Sequence, residues 1–247
     1  MSWKRYNTMR SETVWHQKPA LLQETIKKFC LVVVFGVALG YFEAAVVVYL
    51  RAIFYPGGFT FPLSNFGQTD LWNQLLLTEV GREAASIVLI FTAARLFGQT
   101  TRQHFAFFMV IFAVWDIFYY IWLRVLISWP ESIMDWDILF LIPTVWASPV
   151  LAPVIVSVIL LLFAAIILYR DVRDNVPRVL FFDWLGFVIA GLIVVLSFCL
   201  AGRGITESNF KSHFSWPVFT LGVILASAVF FKCLLKSPNP KLKTGAD

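Results

Sequence analysis

Charge is the scarcest ingredient of this sequence: 14% of its 247 residues are charged, against 59% that are hydrophobic. With a mean hydropathy of +0.76, that balance excludes an ordinary soluble domain. Cysteine is nearly as sparse. Cys30, Cys199 and Cys233 show no CxxC or other ligand spacing and read as small apolar residues. His16, His104 and His213 are equally isolated, so neither a haem nor a zinc site of the usual kind is supported, and a buried bis-histidine electron carrier is excluded. There is no G-x-S-x-G with a matched histidine, no H-E-x-x-H, no P-loop and no aspartate-rich repeat. The common hydrolase, metalloprotease, nucleotide and magnesium-diphosphate chemistries therefore have no motif here. Internal repeats and low-complexity linkers are absent too, which points to one domain.

What the chain does have is long apolar runs. At about 20 residues each they suffice to cross a bilayer core as helices, and barrel-type alternation is missing. The fold class read from them is all-α, a polytopic integral membrane protein whose six-helix transmembrane bundle uses spans at Phe29 to Leu50, Trp72 to Phe97, Phe105 to Ile127, Val150 to Tyr169, Val179 to Leu200 and Trp216 to Leu235. Residues 1–28 form a basic, amphipathic cytoplasmic segment, residues 29–235 the transmembrane domain and residues 236–247 a basic cytoplasmic tail. The first run is preceded by 28 mostly polar residues and contains Glu43, so it is read as a span and not as a cleaved signal peptide.

Basic residues set the orientation. Fifteen Lys and Arg fall on the side of the two termini and four, Arg51, Arg124, Arg203 and Lys211, on the other. By the positive-inside rule both termini are cytoplasmic, in a cell or inner membrane. The net charge of +5 then reflects topology and contact with anionic membrane lipids, not nucleic acid.

The informative charges are those inside spans. The stretch "TEVGREAASIVLIF" places Glu79, Arg82, Glu83 and Ser86 at i, i+3, i+4 and i+7, one stripe of a helix. A rise of about 1.5 Å per residue puts Glu43 and Glu79 roughly 10 Å below the outer surface, and Arg82, Glu83 and Asp116 roughly 15 Å below it. Asp116 shares a face with Tyr119 and Tyr120, and Arg124 lies above them. Gly36, Gly40 and Ala44 make a small-xxx-small seam beside Glu43. Arg82 is expected to pair with Glu79 or Glu83, and Arg124 with Asp116 through the tyrosines. Two arginines do not neutralise four carboxylates, so at least one carboxyl is protonated, hydrated or occupied by a cation.

Glu43, Glu79, Arg82, Glu83, Asp116, Tyr119, Tyr120 and Arg124 are accordingly the expected ligand-binding residues, with Glu83 and Asp116 as candidate catalytic acids or bases. No metal site or cofactor is expected beyond a hard cation at Glu79 and Glu83, and the di-iron pattern fails without histidines. "AGRG" at Ala201 to Gly204 is a weak phosphate-nest motif. The connection "SWPESIMDWDILFLIPTVWASPVLAP" is Pro- and Trp-rich. It reads as an outer re-entrant or interfacial segment, with Pro130 and Glu131 starting a short helix.

Three function classes remain open. The carboxylate and arginine site binds or moves a proton, cation, small polar group or lipid headgroup from the outer side; or the protein is a membrane-embedded enzyme on a lipid-linked substrate; or it is a structural subunit whose carboxylates meet partner membrane subunits. Transport predicts a path to the inner side, catalysis predicts one-sided access, and a subunit predicts an open polar or aromatic face.

Overall fold

The computed structural model describes residues 3–63, 70–142, 144–173, 175, 179–203, 205–206 and 213–236, with side chains from residue 21 onward except those of residues 70–73. Six helices account for nearly all of it: α1 (Trp3–Phe54), α2 (Asp70–Phe97), α3 (Thr101–Ile127), α4 (Leu151–Val172), α5 (Phe181–Ala201) and α6 (Trp216–Leu235). Between α3 and α4 lie two short strands, β1 (Trp136–Phe140) and β2 (Trp146–Pro149). Five helices are long and apolar enough to cross a membrane. The sixth, α2, has the length but carries Glu79, Arg82 and Glu83 at its centre. Apolar side chains cover the outside, with Phe181 and Phe182 each 75% exposed and Leu96 86% exposed. Such a surface suits lipid, not water.

The sequence sets these helices locally. Thr100 caps α3 by accepting the amide of Gln103 at 3.2 Å, and Ser128 ends the helix in the left-handed conformation at φ 57°. Asp183 caps α5 by accepting the amide of Leu180 at 2.8 Å. It also pairs with Lys236 and, at 3.5 Å, with Lys232 of α6. The sequence also sets Asp183 near Arg178, where a local pair is expected; Arg178 lies outside the described residues.

α3 is the central helix and packs against α1, α2 and α4. Its contact with α1 uses the expected glycine seam. A Cβ on Gly36 would sit 2.9 Å from Val114, and one on Gly40 would sit 3.0 Å from the carbonyl of Trp115, while Ala44 is fully buried. α5 and α6 form a pair closed the same way, Gly186 on Val229 and Gly222 on the carbonyl of Ala190. That pair meets the rest of the molecule mainly through β2 and α4.

The Pro- and Trp-rich connection is an antiparallel hairpin. Trp136 faces Pro149, Asp137 faces Ser148 and Ile138 faces Ala147, with a register shift before Phe140. The short helix expected from Pro130 does not form. Asp135 instead accepts the amides of Glu131 and Ser132, at 2.7 and 3.1 Å, from the downstream side, which closes a turn. The following "WDILF" is β-branched and aromatic and finds a partner strand in "WASP". Leu63, Ala147 and Ile205 form a small core on one side of the hairpin, and Gly202 lies so close to the carbonyl of Val145 that a Cβ would come within 2.0 Å.

Candidate functional site

The stripe on α2 works as expected and reaches further than its own helix. Arg82 Nε donates to Glu79 Oε2 at 2.8 Å, one turn away, and its Nη1 donates to Glu43 of α1. Ser86 Oγ lies 3.5 Å from the other oxygen of Glu43. One guanidinium thus joins carboxylates from two helices, a geometry that suits a planar, forked donor. Glu83 pairs with no cation within 4.0 Å among the described residues. Its two oxygens accept the backbone amide of Leu141, just past β1, at 3.1 and 2.9 Å. That bond pins the end of β1 to the middle of α2.

A second network lies nearer the open end of the hairpin. Arg51, in the last turn of α1, donates to Asp137 of β1 at 3.0 Å, and Tyr119 Oη donates to the other oxygen at 3.1 Å. The guanidinium of Arg51 sits over Phe59 and Trp129, 4.1 and 3.7 Å from their ring centres. Arg51 and Asp137 are both buried, and the two aromatic faces with the tyrosine hydroxyl replace the water they have lost. Tyr120 is buried against Tyr119, with ring centres 4.8 Å apart. Asp116, half-buried on the same helix, accepts the hydroxyl of Ser157 in α4 at 2.8 Å.

Of the residues expected from the sequence, Glu43, Glu79 and Arg82 are bonded directly, and Glu83, Asp116, Tyr119 and Tyr120 line the same cavity with them. Of the two expected pairings, one is met and one is replaced. Arg82 takes Glu79 and Glu43 and leaves Glu83 to the hairpin. Arg124 does not reach Asp116: it is exposed and donates to the carbonyls of Ser128 and Pro130, where it closes the C-terminus of α3. Glu79 and Glu83 have separate partners, and no group of three metal-ligating side chains occurs among the described residues.

Asp137, Ser157 and the Leu141 amide were not expected in the site, and Arg51 was expected there only if it bends inward. Arg51 had a signal, since it continues the α1 seam seven residues beyond Ala44. Ser157 had a weaker one as the only serine or threonine of α4. Nothing local to Leu141 announces its role.

The cavity that these residues line measures about 940 Å³. Five carboxyls, of Glu43, Glu79, Glu83, Asp116 and Asp137, face two guanidinia, of Arg51 and Arg82, at this polar end. Away from it the walls become apolar, with Phe112, Leu160 and Phe163 on α3 and α4 opposite Gly191, Val194 and Phe230 on α5 and α6. The far end is polar again, lined by Arg95, Arg102, His104 and Arg170. Comparison with protein-family models, curated proteins and solved structures finds no match to this chain.

Proposed function

We propose that this multi-pass membrane protein binds an amphiphile, with its polar group on the carboxylate and arginine layer and its chain in the apolar cavity. The observation that carries the reading is the continuity of the cavity. About 940 Å³ joins the charged layer to an aromatic and aliphatic interior, near the top of the ~300–1,000 Å³ range of small-molecule sites. A purely structural ion-pair network needs no such space beside it. Glu83 and Asp116, which have no cation partner among the described residues, are the acceptors for a hydroxyl, amine or other donor on the ligand. A proton or metal ion alone leaves the apolar part without a purpose.

In this reading α2 is the sixth crossing, its charges satisfied within the bundle. Both termini are cytoplasmic, and the hairpin is a re-entrant lid at the outer end, carrying the Leu141 amide down to Glu83. α1, at 52 residues and about 78 Å, is far longer than a ~30 Å hydrocarbon core, so its basic N-terminal part lies along or beyond the cytoplasmic face. The polar far end of the cavity supplies the inner path that a transport role requires.

The test is binding of a fluorescent long-chain amphiphile with an uncharged, hydroxyl-bearing headgroup to the full chain in detergent. Gly191 lines the cavity and a Cβ there meets nothing within 4 Å, so Gly191→Phe starts from open space and sends its ring into the cavity. It should weaken binding by about tenfold or more while melting stays as in the parent. Asp116→Asn should weaken it less. Equal affinity in the parent and Gly191→Phe would sink the reading. An enzyme acting on a lipid-linked substrate is the second reading, favoured by the same unpaired carboxyls. It is separated from simple binding by whether the bound amphiphile leaves chemically changed.

A further inference from the structure

The far end of the cavity has a charge character opposite to the layer just described. Arg95 stands in the last turn of α2, Arg102 and His104 in the first turn of α3, and Arg170 in the last turn of α4, and all four line the cavity. Among the described residues one carboxylate answers them. Asp171 accepts Arg102 Nε at 3.1 Å and Gln103 Nε2 at 2.8 Å. Arg170 donates to the carbonyl of Leu234 at 2.9 Å and has no ion pair among the described residues. Arg95, among the described residues, has the ring of Phe91 at 5.8 Å and no carboxylate. His104 keeps its Nδ1 buried with no hydrogen-bond partner among the described residues, and a buried polar atom without a partner is uncommon enough to need one.

Positive-inside topology accounts for arginines on this side of the protein, but not for their lining the mouth of an apolar cavity. Three guanidinia and an imidazole around such a mouth form the setting in which basic pockets between helices hold phosphate headgroups, the acyl chains running into the apolar space. The neighbouring aromatic wall of Trp184 and Phe187 on α5 fits the glycerol and upper-chain region of a lipid.

We infer that this basic mouth is a second subsite, one that takes the phosphate group of a phosphate-bearing lipid entering from the cytoplasmic leaflet. The inference rests on the amphiphile reading of the cavity and adds a second polar subsite at its other end, with its own headgroup class and side of entry. The same donors also suit free phosphate, so the experiment separates the two sources.

The full chain in an uncharged detergent is titrated with phosphatidic acid, with diacylglycerol of the same chains, and with inorganic phosphate alone, followed by native mass spectrometry. Phosphatidic acid should bind about tenfold tighter than diacylglycerol. Arg95→Gln, which removes a side chain with no ion pair among the described residues, should cut that preference about fivefold. Asp171→Asn keeps the shape and frees Arg102, and should raise the preference, a gain that misfolding does not produce. If millimolar phosphate displaces the lipid, the site takes soluble phosphate; if it does not, the lipid is the ligand. Equal binding of the two lipids, with Gly191→Phe blocking both, would overturn the phosphate subsite and leave the cavity reading standing. If neither lipid binds, both readings fall.

Discussion

Arg82 carries more than any other side chain of the charged layer, because it alone holds Glu43 and Glu79 together. Arg82→Ala leaves two carboxylates in a low-dielectric layer with no cation beside them. The expected cost is about 3–5 kcal/mol, seen as a large drop in melting temperature in detergent. Glu83→Gln should be far milder. An amide oxygen still accepts the Leu141 N–H and one negative charge leaves an acid-rich layer, so the expected change is about 1 kcal/mol or less. Should Arg82→Ala melt like the parent, the ion pairs across α1 and α2 do not support the fold. The partner Glu79, one turn away, was legible in the sequence because helix geometry fixes which residues meet at i+3 and i+4. Glu43 was legible only as a depth. Which of several acids in a layer meets one guanidinium depends on helix rotation, and composition does not fix that.

Helices were legible as elements because length, hydropathy and end signals all act locally: α6 spans the expected residues, and α2, α3, α4 and α5 begin or end within four residues of expectation. The hairpin was not, since a strand becomes one by pairing with another segment, and the turn signals around Pro130 favour a helix start when taken alone. Its position is fixed by two backbone contacts that no side-chain pattern encodes, the Leu141 amide on Glu83 and Val145 on Gly202. Gly202→Ala tests the second. Its backbone, at φ −72°, accepts alanine, so any cost comes from the collision with Val145. About 3 kcal/mol is expected, together with faster proteolytic cleavage between Ser128 and Val150. Gly191→Ala, open on all sides, is the control and should be neutral or slightly stabilising. Equal stability of the two variants would mean that β2 does not seat on α5.

At the scale of the whole molecule, six crossings put both ends on one side of the membrane and five put them on opposite sides. Reporter fusions after Lys243 and within the Thr60 to Gln68 loop should therefore report opposite compartments, the first cytoplasmic. A C-terminal fusion on the outer side would remove α2 from the membrane and the charged layer with it. That same helix sets an order of events during synthesis. Its three central charges make α2 a poor candidate for entering lipid by itself. The partner for Arg82 on α1 has already been made, but the amide that satisfies Glu83 lies 58 residues further along the chain. If α2 is the sixth crossing, it has only half of what holds it in the bilayer until the hairpin has emerged. A nascent chain stopped after Phe97 should leave α2 exposed to quality-control proteases, whereas one that has reached Leu151 should keep it.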